Sequence, residues 1–148
     1  MKYNINHNNQ EVNEEAMVYN AIENRNAFLL INLIRSGIRF TMFKSIADKS
    51  PFSFTEWSNF LHLSERTMQR YQKEKKSFDP IYSEKIIEIT MLYNYGKEVF
   101  GDKKNFDYWL QTENIALGKR TPKELLDSTF GIHLVKDELT RIEHGVLA

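Results

Sequence analysis

The side chains best suited to chemistry lie between Phe54 and Gln72, and that chemistry is recognition of DNA. The spacing predicts a short helix over 55–61, a tight turn, and a second helix over 64–73, the arrangement of a helix-turn-helix. Met68 and Tyr71, three residues apart, would face inward. The polar residues that would face the major groove or the DNA backbone are Ser64, Arg66, Thr67, Gln69, Arg70 and Lys73.

These residue types match the contacts that proteins make with a DNA duplex. Arginine pairs with guanine and glutamine with adenine, whereas lysine is suited to phosphate. Ser64 and Thr67, near the helix start, could bond a phosphate or a base edge. Glu65 argues against a phosphate contact because its charge would repel one, although a carboxylate can accept from a cytosine amino group. A solvated polar face without a partner is the alternative interpretation.

Candidate catalytic and metal-binding residues do not form a recognisable site. The histidines, which lack metal-ligand spacing, are His7, His62, His133 and His144. Two Gly-Lys pairs, at 96–97 and 118–119, lack the rest of a phosphate-binding loop, and serine nucleophile motifs are absent. Zero cysteines exclude disulfides, thiolate catalysis and cysteine-ligated zinc. We therefore expect no enzymatic activity, no metal and no cofactor.

The elements that carry these residues are predicted to be helices. Glycine and proline are scarce, at 6 and 3 of 148 residues, and we find no strand pattern, so the expected fold class is all-α. Residues 1–15 are expected to be disordered, and one helix is expected over 16–36. At the other end of the chain, Asp127 is expected to cap the last helix. The first helix should present a broad apolar face of Phe28, Leu29, Ile31, Leu33 and Ile34.

A long helix over 80–99 carries apolar residues on more than one face. Tyr82, Ile86, Ile89 and Tyr93 follow one another at spacings of four, three and four, and further apolar residues widen that face. Such a helix must be covered on several sides, either by its own chain or by a second copy.

The net charge of zero is unevenly distributed along the chain. Residues 1–34 carry net −2, residues 35–76 carry nine Lys/Arg against four Asp/Glu for net +5, and residues 77–148 carry net −3. The basic middle coincides with the predicted helix-turn-helix, which favours a DNA contact there. A polar N-terminus and the lack of a membrane-length apolar run lead us to expect a cytoplasmic protein.

Residues 99–148 contain a series of short motifs in close order. They are Phe-Gly-Asp at 100–102, Trp-Leu at 109–110, Asn114 with Ala-Leu-Gly at 116–118, Thr-Pro-Lys-Glu-Leu-Leu-Asp at 121–127 and Arg-Ile-Glu-His-Gly-Val at 141–146. This segment resembles the C-terminal toxin-binding domain of the Xre/ParS-type antitoxins, partners of RES-domain toxins. Upstream, residues 34–38 and 63–70 resemble the Xre-type helix-turn-helix of the same family.

The resemblance implies a domain order and a function. Residues 16–78 would be an Xre-like helix-turn-helix domain, 79–98 a connecting helix, and 99–148 the toxin-binding domain. The implied function is that of an antitoxin, which occludes a NAD-consuming RES toxin and represses its own operon. A free-standing transcriptional regulator without a toxin is the alternative.

The end of the chain is where the resemblance implies contact with the toxin. Many motif residues are explained as scaffold: Trp109, Leu117, Leu125 and Leu126 as core, and the glycines at 101, 118 and 145 as positions that need positive φ. The residues that scaffold roles leave unexplained, and that would reach the toxin's active site, are Arg141, Glu143, His144, Gly145, Val146, Leu147 and Ala148.

A homodimer is expected under either function. Paired DNA half-sites need two copies of the reading helix. The apolar surface of the helix over 80–99 would be the part that the second copy covers.

Overall fold

The computed structural model describes residues 7–145, with side chains described from residue 14. The elements of regular secondary structure in this range are helices, as predicted. The helices are α1 (His7–Glu23), α2 (Ala27–Ser36), α3 (Phe40–Asp48), α4 (Phe54–Leu61), α5 (Glu65–Glu74), α6 (Pro80–Phe100), α7 (Lys103–Leu110) and α8 (Thr129–Glu143). Two 3₁₀ helices, η1 (Ile115–Leu117) and η2 (Pro122–Asp127), lie between α7 and α8. In the described part of the chain, no helix has the length and apolar character needed to cross a membrane.

The N-terminal region differs from the prediction in two ways. First, helix α1 begins at His7, so residues 7–15 are helical rather than disordered. Its C-terminal half is held by burial of Val18, Ala21 and Ile22, and this packing supports the turns before it. Second, the predicted single helix over 16–36 is broken at Arg25, which adopts φ +50°.

Helix α2 starts anew because Asn26 caps it, accepting a hydrogen bond from the backbone N–H of Leu29. The break rotates α2 relative to the predicted helix, so the apolar face expected there is only partly correct. Leu33 and Ile34 are half-buried, whereas Phe28, Leu29 and Ile31 are exposed.

Helix α6 is the centre of the fold and is covered by its own chain. It packs against α1, α2 and α4 from the first part of the chain and against α7 and α8 from the second. Ile86, Ile89 and Leu92 are buried along its length. Gly96 allows α7 to approach closely, since a Cβ there would lie 2.0 Å from the ring of Phe106. The apolar surface that the sequence offers to a second copy is therefore largely consumed inside one chain.

Aromatic rings fill the core beneath the helix-turn-helix. Trp57 of α4 packs edge-on against Phe43 and Phe52, with ring centroids 5.3 and 5.8 Å apart. Phe78, which follows α5, lies 5.4 Å from the ring of Tyr71 and 5.2 Å from that of Phe43. These contacts fix α4 and α5 relative to α3, and aromatic pairs of this kind add stability beyond their buried area.

The start of α8 is built differently from the prediction. Ser128, not Asp127, caps the helix, and its hydroxyl accepts the N–H of Gly131 at 2.9 Å. Asp127 ends η2, and its carbonyl oxygen faces the other half of the molecule. Gly131 is required at this turn because a Cβ would lie 1.9 Å from the carbonyl oxygen of Leu125.

Candidate nucleic-acid and protein interfaces

The helix-turn-helix has the geometry that the sequence predicts. Helix α4 begins with a reciprocal capping box between Ser53 and Glu56, and it ends at His62, whose φ of +55° turns the chain. Helix α5 follows immediately, with Met68 fully buried and Tyr71 half-buried as expected. The inward face of α5 is thereby fixed against α3 and α4.

The outward face of α5 carries the predicted DNA-reading side chains. Arg66, Gln69, Arg70 and Lys73 are all exposed on it. The guanidinium of Arg70 lies 5.8 Å from the centre of the Tyr71 ring, within the range of a cation–π contact. The structure thus brings these four side chains together on one surface, and their contact with DNA stays a prediction.

Ser64 and Thr67 form hydrogen bonds with each other at the start of α5, a role that the sequence analysis did not assign to them. The Ser64 side chain accepts the backbone N–H of Thr67 at 3.0 Å and donates to the Thr67 hydroxyl at 2.9 Å. The pair caps α5, so a contact to DNA would be secondary to this role. Glu65 also has a partner, because its carboxylate accepts a hydrogen bond from Thr55 of α4. This bond gives Glu65 a role in joining the two helices.

The predicted toxin-binding residues divide between two faces of α8. Glu143 is exposed but lies on the side of α8 that faces α6, where it accepts a hydrogen bond from the hydroxyl of Tyr95. Burial and this hydrogen bond raise the pKa of Tyr95 above its usual value. Arg141 lies on the outer side and pairs with Glu138 at 3.5 Å. Two residues apart on a helix, Arg141 and Glu143 cannot share a face.

The last described residues complete this end of the helix. His144 is the exposed C-cap, and Gly145 has φ +66°, the positive value expected for it. Val146, Leu147 and Ala148 lie outside the described residues.

Helix α8 has an exposed apolar pair that the sequence analysis does not predict. Phe130 and Leu134 are exposed, and both lie on the side of α8 opposite Val135 and Leu139, which are wholly buried. The signal was present, because the helix carries a second apolar pair four residues apart beside its core-facing series. Only the core-facing series was recognised.

Direct contacts join the helix-turn-helix to the C-terminal region. His62, in the turn before α5, donates to the carbonyl oxygen of Asp127 at 2.6 Å, and Lys85 donates to the same oxygen at 3.1 Å. Lys123 of η2 forms an ion pair with Glu56 of α4 at 3.1 Å. Both candidate surfaces are consequently mounted on one connected scaffold.

A half-buried carboxylate, that of Glu88, lies on α6. One oxygen of Glu88 is shielded from solvent and finds no hydrogen-bond partner among the described residues. Burial and the neighbouring Glu84 raise the pKa of Glu88, against the opposing effects of His133 and Lys85. In the described part of the chain, no group of three His, Asp or Glu side chains is arranged to hold a metal ion.

Comparison with known families identifies both regions. Residues 29–90 match the Antitoxin Xre-like helix-turn-helix domain, and residues 96–145 match the Antitoxin Xre/MbcA/ParS C-terminal toxin-binding domain. Together the two matches span 112 of the 148 residues.

The chain belongs to the Xre/MbcA/ParS antitoxin family.

Relatives of the family agree with this assignment. An Antitoxin Xre of Yersinia enterocolitica is 27% identical over 121 residues, covering 81% of this chain and 82% of the relative. An Antitoxin Xre of Photorhabdus laumondii is 25% identical over 117 residues, covering 78% and 79%.

A solved structure, that of the M. tuberculosis MbcT-MbcA toxin-antitoxin complex, is similar in fold. The TM-score is 0.55 at 15% identity, over 72% of this chain and 94% of that one. Antitoxins of this family are toxin-binding regulators, so membership confirms that the chain is not an enzyme.

Proposed function

We propose that the chain neutralises a RES-domain, NAD-consuming toxin by covering the toxin's active site, and represses its own operon through the helix-turn-helix. In the cytoplasm, such an antitoxin would protect the NAD pool. The main support for the proposal is that one folded chain contains both regions that match the family. One region exposes four polar side chains on α5, and the other ends in an exposed helix terminus.

The C-terminal turn supports a role in covering an active site. Glu143 anchors this turn to Tyr95 of α6, and Thr140 lies 3.3 Å from the same hydroxyl. Arg141 and His144 are left exposed beside the anchor. A helix end held in this way would direct the predicted toxin-binding residues that follow it, 146–148, toward the toxin.

The test is co-expression with the product of the adjacent gene, which the proposal predicts to be a RES-domain toxin. Wild-type chain should restore growth and form a complex of measurable size with the toxin. Deletion of residues 146–148 should abolish protection while the circular dichroism spectrum and operator binding stay unchanged. Full protection by the truncated chain would contradict the role of the C-terminus. Operator binding without any toxin complex would instead identify a regulator that acts alone.

A homodimer is part of the proposal because operators are read as paired half-sites. Since α6 is covered within the chain, the second copy must bind elsewhere. Phe28, Leu29 and Ile31 on α2 are exposed, and Leu29 lines a groove together with Met17 of α1, so we propose that a second copy covers this apolar surface. Phe28→Glu should shift the mass measured by light scattering toward the monomer, whereas Ile81→Glu, at an exposed position on α6, should leave it unchanged.

A further inference from the structure

Helix α8 presents a stripe of four side chains to the outside of the molecule, which we name the α8 stripe. Its members are Phe130, Leu134, Asp137 and Arg141. They occur at positions i, i+4, i+7 and i+11, so they share one face of a helix over about 16 Å. Phe130 is 77% exposed and Leu134 is 42% exposed.

The opposite face of α8 is held firmly by the same chain. Val135 and Leu139 are fully buried, Ser128 caps the first turn, and Glu143 bonds to Tyr95 at the last. The helix is therefore supported from beginning to end, and the α8 stripe is presented on a preorganised surface. A partner that binds it would lose little conformational entropy in ordering α8.

The composition of the α8 stripe is that of a recognition surface. A phenylalanine this exposed, with a leucine one turn away, leaves apolar area that burial against a partner would remove from water. At the other end of the stripe, the Arg141 side chain is 55% exposed and pairs at 3.5 Å with Glu138, whose side chain is 12% exposed. Because the guanidinium is more than half exposed, it can also form a charge-assisted hydrogen bond with a carboxylate of the partner.

The position of the α8 stripe in the chain indicates which partner binds it. All four residues lie within 96–145, the range matched by the toxin-binding domain, and Arg141 belongs to the turn expected to reach the toxin. We infer that the α8 stripe is the main docking surface for the toxin, with Phe130 and Leu134 in an apolar groove and Arg141 against an acidic side chain at its edge. This is helix-in-groove recognition, and the inference rests on the proposed function.

The absence of cysteine from the sequence permits a footprinting test. Leu134→Cys and a control, Ile81→Cys, are made separately in the full chain. Ile81 is 72% exposed and lies on α6, a different helix from the stripe. Both thiols should react with a maleimide in the free chain. In saturating RES-domain toxin, labelling at position 134 should slow at least tenfold, and labelling at position 81 should not change.

Alanine variants test how much each side chain of the α8 stripe contributes to toxin affinity. Phe130→Ala should weaken toxin binding at least tenfold, as expected for a buried aromatic anchor, and Arg141→Ala should weaken it severalfold in a salt-dependent way. Ile81→Ala should have no effect. Operator binding and the helical spectrum should be retained in every variant, which excludes misfolding as the cause.

Three other outcomes of these experiments would contradict the inference. Binding of toxin by the wild type with position 134 still reactive would overturn the inference and leave the proposed function intact. Failure of the folded wild type to bind toxin would overturn both. Protection of position 134 by raising the concentration of the chain alone would assign the α8 stripe to a second copy, and the inference would again be wrong.

Discussion

At the scale of single residues, the sequence predicts which helix face a side chain lies on better than it predicts the residue with which that side chain forms a hydrogen bond. Arg66, Gln69 and Arg70 could be assigned to an outward face because helical periodicity alone decides it. The hydrogen-bond partners of Glu65 and Glu143 could not be predicted, because Thr55 and Tyr95 lie on other helices. A hydrogen bond over 48 residues of sequence leaves no local pattern to read.

The outward arginines of α5 should be needed for operator binding. Replacing Arg66 and Arg70 together by alanine should lower operator affinity by tenfold or more, since each base contact is worth about 1–3 kcal/mol. Toxin binding should be unchanged. The control is a double alanine variant at Lys104 and Lys136, exposed lysines outside α5, which removes the same charge. Equal affinities of the two double variants, measured by fluorescence anisotropy at one salt concentration, would show that α5 does not read DNA.

Glu88 should destabilise the fold at neutral pH. Because its pKa is raised in the fold, the folded state holds the proton more tightly than the unfolded state. The stability this provides is fully present below the ordinary pKa and is lost as pH rises through the raised one. Glu88→Gln should therefore raise Tm at pH 7 by about 2–4 °C, the effect of roughly 1 kcal/mol.

The pH dependence separates this cause from a change in packing. The gain from Glu88→Gln should shrink at pH 4, where the wild-type carboxyl is protonated. Glu98→Gln, at an exposed position on the same helix, should change Tm little at either pH. A lower Tm of the Glu88 variant at pH 7 would refute the interpretation.

At the scale of elements, the positions of helices were predictable and their interruptions were not. The break at Arg25 has no glycine or proline to announce it, and Asn26 acts as a cap only because the chain turns there. The start of α8 was misplaced by one residue, since Asp127 and Ser128 are both good capping residues. Contacts from His62 and Lys85 to the Asp127 carbonyl decide between them.

The cap of α8 gives a matched pair of variants. Ser128→Ala should lower the free energy of unfolding by about 1 kcal/mol because it removes the acceptor for the Gly131 N–H. Asp127→Ala keeps the carbonyl that His62 and Lys85 use, so its cost should be smaller. Urea unfolding followed by circular dichroism measures both, and a larger loss for Asp127→Ala would restore the capping role predicted from sequence.

At the scale of the whole molecule, the two family-matched regions form one structural unit. A single cluster of buried side chains extends from Val18 to Leu139, and α6 contributes to it on both sides. The sequence suggested a connecting helix between two domains, since composition alone cannot show which faces of a long helix are covered. The ion pair between Glu56 and Lys123 lies across the junction.

Unfolding should accordingly be one cooperative transition. The two tryptophans report on the two parts, because Trp57 lies in α4 and Trp109 in α7. In Trp109→Phe and in Trp57→Phe, the fluorescence of the remaining tryptophan should give the same urea midpoint as circular dichroism. Midpoints that differ within either variant would show that the regions unfold independently.

The most direct test of the central claim is inhibition of NAD consumption by a purified RES-domain toxin, the protein that we expect the adjacent gene to encode. Adding the full chain should reduce the rate of NAD loss in proportion to the chain added, until the toxin is saturated. The Phe130→Ala variant should require at least tenfold more protein for the same inhibition. An unchanged rate of NAD loss at saturating concentrations of the folded chain would contradict the account.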